Sequence, residues 1–245
     1  MIKFFRKIRY DLMEKNKTGK YLKYAIGEIV LVVLGILIAL QINNWNERQK
    51  QLRLEKEILK EVRIGLEADN NSIQVSINDH EKFINSQNII VNWMYKKLAY
   101  HDSLMPHFKH THWTTLFVPK DAQFESLKQF GLRNISNKKL SDQISNLYDN
   151  LYEDVLLWQD EYKNTSYGLR EHMTNGGIEF VQDSSDILLD QRPLNPTDIQ
   201  NNSAFLFQLI GTSSTLKLFN EYKLKATQEE IEKTIIMIDE ELAKH

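Results

Sequence analysis

The chain has 245 residues, 42% of them apolar and 26% charged, and it contains no cysteine. That is the balance of a folded chain with a sizeable core, while the missing thiols exclude disulfides, thiolate metal sites and cysteine nucleophiles. With only 9 Gly and 4 Pro, long helices are expected rather than many short strands.

Met1 to Glu14 places Ile2, Phe4, Phe5, Ile8, Leu12 and Met13 at helical spacing among Lys3, Arg6, Lys7 and Arg9. This reads either as a basic amphipathic helix on an anionic lipid surface or as a plain charged topology signal. Asn16 to Gly19 reads as a turn, so residues 1–19 form a basic interfacial segment.

Residues 20–46 follow as a membrane-spanning helix. Leu22 to Ile42 is 21 residues long, about 31 Å at helical rise and a match to a bilayer's hydrocarbon core. Tyr21 and Tyr24 flank one end and Trp45 the other, as interfacial aromatic anchors do. Residues 1–23 carry a net charge of +6 and the remainder −8. The basic flank therefore stays cytoplasmic and residues 47–245 lie on the other side. The basic region is long for a secretory signal and no A-x-A-like site follows the apolar run, so an uncleaved signal anchor is expected.

Glu28, beside Gly27, is the one ionisable residue inside the span. Near the span's end it can snorkel, pair with another helix or meet a membrane partner; an ion-coupling carboxylate is the sharper alternative. Glu28, Gly35, Ala39 and Ile42 share one face, and Gly35-x-x-x-Ala39 permits close helix approach, so self-association through this face is expected.

No proline interrupts residues 24–105, so the spanning helix is expected to continue outward as the first helix of an external bundle. Leu54, Ile58, Val62 and Leu66 form one stripe. Ile73, Ile77, His80, Ile84, Gln87, Val91, Met94 and Leu98 form a heptad stripe that faces a partner helix, in this chain or another. His80 within it reads as a hydrogen-bonded core histidine.

Ala99 to Lys120 reads as a non-helical stretch. It gathers His101, His107, His110 and His112; the last three are weak metal candidates, because no acidic or thiol partner stands at a recognised spacing, and a solvated loop is expected. Thr114 to Pro119 has β-type composition and reads as a short strand or an extended segment. Asp121 to Phe130 reads as a short helix with Asp121 as N-cap and Gly131 as its stop. Ser136 or Asn137 then caps a long helix with an inward stripe of Leu140, Ile144, Leu147, Leu151, Val155, Trp158 and Tyr162. Ile178 to Asn195 reads as a mixed loop. Asn195-Pro196 opens a last helical stretch to about Ala243, with inward residues including Leu209, Leu216, Phe219 and Tyr222, and a break near Lys225 at a Thr227-x-x-Glu230 capping box.

The fold class expected is therefore all-α: a transmembrane helix continuing into an external bundle of about four helices over residues 47–245. Tyr24 to Glu47, behind the head MIKFFRKIR, resembles the N-terminus of an uncharacterised family of single-pass membrane proteins abundant in Bacteroidetes. Phe124 to Tyr148 is similar to the soluble part of the same family. The resemblance implies this topology and a Gram-negative periplasm, and it carries no activity.

There is no Gly-rich phosphate loop, no G-x-S-x-G and no H-E-x-x-H. No enzyme activity and no cofactor are expected. Nucleic-acid binding is not expected of so acidic a main region. The expected function is a non-enzymatic inner-membrane scaffold or accessory subunit in contact with lipid, self-associating or bound to another membrane protein. The alternatives are a periplasmic ligand-sensing bundle that signals through the span, and an ion-coupled subunit using Glu28.

Overall fold

The computed structural model describes Tyr10 and residues 18–175, 177–181 and 190–244. Apart from Tyr10, the expected amphipathic helix Met1–Glu14 lies outside the described residues. Packing divides the chain into two units, Met1–Glu55 and Lys56–His245, and the architecture is all-α with one small hairpin.

Helix α1 runs unbroken from Thr18 to Tyr95, 78 residues. In the first unit its side chains from Leu22 to Arg48 are exposed almost throughout. In the second unit the helix gains a buried face through Ile58, Val62, Leu66, Ile73, Ile77, His80, Gln87 and Met94. The partners of this stripe come from the same chain, since these apolar residues share clusters with Leu140, Leu147, Leu216 and Ile231 at one end and with Phe108, Leu169 and Phe205 at the other. Phe83 and Ile90 are buried where Ile84 and Val91 were expected, and Leu54 and Leu98 are exposed. Leu98 falls beyond the helix end. Lys97 takes φ +51°, and the Leu98 amide donates to the Trp93 carbonyl at 3.3 Å, a left-handed cap that stops the helix.

Ala99–Lys120 departs from the expected loop. A 3-10 turn, Asp102–Leu104, leads into helix α2, Met105–His110, with Pro106 in its first turn, where proline's fixed φ suits a helix start. Phe108 and Lys109 are buried on α2. Thr111 to Lys120 then forms a strap, a turn at Thr111 and His112 followed by residues 113–120 without helix or strand. Helix α3, Asp121–Phe130, has Lys120 rather than Asp121 at its N-cap position; the Lys120 amide is held by Asp69 at 2.9 Å, so a side chain from α1 serves where a local cap was expected. Gly131, at φ +93°, ends α3 as expected.

Asn137 caps helix α4, Lys138–Asn146, by accepting from the Leu140 amide. One turn of π-helix, Leu147–Leu151, joins α4 to α5, Tyr152–Asn175. The extra residue puts both Leu147 and Tyr148 in the core and shifts the buried stripe from Leu151 to Tyr152. The expected loop beyond α5 contains a hairpin of β1, Ile178–Val181, and β2, Asp190–Pro193, with Ile178 opposite Pro193 and Glu179 opposite Arg192.

Asn195 caps α6, Pro196–Asn201, as expected. The break in the last helical stretch lies at Asn202, which caps α7, Ser203–Phe219, by accepting from Phe205. Near Lys225 there is a second π-turn, Asn220–Leu224, and the helix continues as α8, Lys225–Ala243. No capping box is needed, because the backbone never leaves helical geometry there. The π-turn buries Asn220 and Leu224 and leaves Tyr222 exposed.

Candidate functional site

Two stretches of α1 carry chemistry that a plain helical bundle does not need. The first is the apolar span. Its richest 18-residue window has a mean hydropathy of 2.6 with none of it buried. Leu22, Ile29, Leu34, Leu37 and Ile42 are all at least half exposed. Tyr24 and Trp45 project at its two ends, about 31 Å apart along the axis. Helical periodicity brings Glu28, Gly35 and Ala39 to one face. A Cβ added at Gly27 or Gly35 would meet nothing within 4 Å, so the backbone is open to close approach there. Tyr21 lies in the first turns of α1.

The second is a row of polar groups that hold the strap, buried at Asp69, His80, Gln87 and Tyr162 and half-buried at Gln159. A strap without helix or strand leaves its own amides and carbonyls without ladder partners, and where it is buried, as at Thr111 and Phe117, those groups must be paired. Side chains from two helices supply the pairs. From α1, Gln87 donates to the Thr111 carbonyl at 2.7 Å, and Asp69 accepts from the Lys120 amide at 2.9 Å. The His80 Nε2 lies 3.4 Å from the Thr115 carbonyl oxygen. From α5, Tyr162 donates to the Trp113 carbonyl at 2.6 Å. Gln159 takes both groups of Phe117, accepting from its amide at 2.6 Å and donating to its carbonyl at 3.2 Å. Phe117 itself is buried against Tyr152, ring edge to ring face at 5.3 Å.

Both π-turns stand at this row. The first presents Tyr148, with Tyr152 directly after it; Tyr152 donates to Asp69 at 2.9 Å, and the Tyr148 ring stacks on Phe124 at 4.1 Å. The second presents Asn220, whose side-chain amide lies 2.7 Å from His80 Nδ1. The second π-turn thus turns a polar side chain inward to meet a polar residue of α1, and the first sets the register that brings Tyr152, just beyond it, to Asp69, a recurring use of such turns. Burial pushes the Asp69 carboxyl up to about 6, although its bonds to Tyr152 and Lys120 pull the other way. Burial also holds His80 below its ordinary 6.5 and raises the Tyr148 and Tyr152 hydroxyls.

His80 is the hydrogen-bonded core histidine that its heptad position implied. Asp69, Gln159 and Asn220 were missed. A buried polar residue in an otherwise apolar 3-4 pattern is the available signal, but its partner lies 51 residues away for Asp69 and 42 for Gln159, beyond any local spacing rule.

Of the histidines, His101 is exposed and His107, His110 and His112 are half-buried, and each has its own surroundings. His107 Nδ1 pairs with the Ser86 hydroxyl at 3.2 Å, His110 packs on Phe83, and His101 caps the 3-10 turn through the Ser103 amide. Burial, with Arg170 and His110 nearby, pushes His112 down to about 4. Among the described residues no group of three or more His, Cys, Asp or Glu is placed to hold a metal ion. The physical reason is that α2 turns the His107 and His110 rings against α1, at Ser86 and Phe83, while His101 is taken up by the 3-10 turn.

The class defined by these features is an all-α bundle protein with one long, apolar, uncovered helical segment. The chain belongs to a family of unknown function (DUF6090), matched over residues 28–171. The matched region begins at Glu28 and contains the strap with its anchors on α1 and α5; Asn220 lies outside it. No curated protein and no solved structure matches the chain.

Proposed function

We propose that this protein is a non-enzymatic, single-pass inner-membrane protein: the α1 segment from Leu22 to Ile42 crosses the bilayer, residues 1–21 stay on the cytoplasmic side, and the bundle works in the periplasm as a scaffold or accessory subunit. One observation carries the reading. A run of exposed Leu, Ile and Val side chains as long as a bilayer core is thick is costly in water, at roughly 25 cal/mol per Å² of apolar surface, and is at home in lipid. The charge step from +6 to −8 across it supports the orientation.

The non-catalytic part rests on what the buried polar groups do. Asp69, Gln87, Gln159 and Tyr162 are engaged with strap backbone, not turned towards a cleft. Association with a second copy, or with another membrane protein, is carried by the open face of Gly35 and Ala39; the heptad stripe, buried within its own bundle, no longer argues for it.

Carbonate extraction and protease protection on spheroplasts test the placement. The account expects the full chain in the carbonate-resistant pellet, with the bundle digested from outside. Release into the supernatant contradicts it. For association, Gly35→Leu is expected to weaken a two-helix membrane reporter, and unchanged signal removes that part. Glu28→Gln separates the packing role, which predicts lost assembly, from ion coupling, which predicts intact assembly without function.

A further inference from the structure

The strap's anchors are of two kinds. Gln87, Gln159 and Tyr162 stay neutral at any ordinary pH, whereas Asp69 and His80 titrate. We propose that Asp69 is a proton-binding site that sets how firmly the end of the strap is held: the neutral carboxyl locks Lys120 and the start of α3 against α1 and α5, and the carboxylate loosens them.

Geometry carries this. Asp69 is fully buried, and its two bonds come from neutral donors, the Lys120 amide at Oδ1 and the Tyr152 hydroxyl at Oδ2. A carboxylate offers about four lone-pair sites, and an ionised group buried against neutral partners carries a large desolvation cost. The charged and titratable groups that face it do not remove that cost. From α5 and the first π-turn come the phenols of Tyr152 and Tyr148. From the α3 start come the Asp121 carboxylate, which repels, and the exposed Lys120 ammonium, which attracts weakly. The α3 N-terminus favours charge to a modest degree.

A neutral carboxyl keeps the whole arrangement. Oδ1 still accepts from Lys120, and a protonated Oδ2 donates to the Tyr152 oxygen while the phenol's own hydrogen rotates out of the contact. The direction of coupling follows. Held, Asp69 takes its proton near pH 6; released to water, it does so near 3.9. Release therefore frees a proton between these values, and rising pH favours it. His80 has the opposite sign, because its tie is weakened by acid below 6.5, so the test must cancel it.

The experiment is amide hydrogen exchange at Lys120, the amide that Asp69 holds, in the detergent-solubilised full chain, wild type against Asp69→Asn, at pH 5 and pH 8. The ratio of the two proteins' protection factors cancels both the intrinsic pH dependence and the His80 contribution. That ratio is expected to fall about tenfold from pH 5 to pH 8, with the core amides of Ile144 and Leu216 unmoved. A ratio constant within about twofold overturns the proposal. Should Asp69→Asn fail to fold, the ¹³C titration of the Asp69 carboxyl in the wild type decides: a midpoint near 6 supports the site, and one below about 4.5 overturns it.

Discussion

One helix, α1, holds two opposite relations between side chain and surroundings. From Leu22 to Ile42 its apolar side chains lie exposed; at Asp69, Ser76, His80, Ser86 and Gln87 its polar side chains lie buried. Each would be a fault under the other's rules. Exposed apolar surface is stable only where the solvent is itself apolar, and buried polar groups persist only where each finds a partner. The first stretch therefore needs an environment the chain does not provide. The second makes its own, by drawing in a strap whose backbone consumes the polar groups. A helix's function is thus read less from its hydrophobicity than from whether its anomalies are answered within the chain.

The comparison breaks most visibly in the first stretch. Leu34→Arg with Leu37→Arg is expected to cost about 2.5–3.5 kcal/mol per arginine for membrane insertion and to move the chain out of the carbonate-resistant fraction. Leu157→Arg, at a position 71% exposed on α5, is expected to do neither. In the bundle, Leu216→Ala opens a cavity at a fully buried site and is expected to lose about 2–5 kcal/mol in denaturant unfolding followed by circular dichroism. Ile36→Ala in the span is expected to leave that transition in place.

His112 ties bundle stability to pH. It is held near 4, below the ordinary 6.5, chiefly by burial. Its contribution is complete above 6.5, begins to fall below that, and is gone once pH drops through about 4. A loss of about 2–3 kcal/mol across that window is expected, and His112→Gln should flatten the profile.

Gln159→Leu removes the partner of both Phe117 backbone groups. It is expected to cost about 1–3 kcal/mol and to raise hydrogen exchange in the strap first. The smallest effect is that of Asn137→Ala, which takes the cap from α4 and a bond at 2.7 Å to Glu241; about 1 kcal/mol in the same unfolding assay is expected.

How much of this could be read in advance follows the range of the interaction. The long helices, the Asn137 and Asn195 caps and the Gly131 stop depend on neighbours within a turn, and periodicity exposed them. His80 was legible because a single polar residue in an apolar heptad demands a bond. The π-turns left a trace: Leu147, Leu151 and Val155 are two successive steps of four, where a regular seam alternates four with three. Asp69 was hidden inside Asp69-Asn70-Asn71-Ser72, which resembles a turn by composition, although α1 passes straight through it. The β-type composition of Thr114 to Pro119 exposed the non-helical backbone of the strap, but its anchors and the hairpin stayed illegible, because the contacts that hold the strap come from residues far along the chain, such as Gln159 for Phe117.

The central claim is that the exposed apolar stretch of α1 is answered by lipid while the bundle faces water across the membrane. The absence of native cysteine makes the measurement direct. Single cysteines at Leu34, Leu157 and Lys3 are treated with a membrane-impermeant maleimide on intact spheroplasts, then after permeabilisation, then after denaturation. The account predicts that Leu157→Cys reacts at once, Lys3→Cys only after permeabilisation and Leu34→Cys only after denaturation. Reaction of Leu34→Cys as readily as Leu157→Cys, or protection of Leu157→Cys until the membrane is opened, would contradict it.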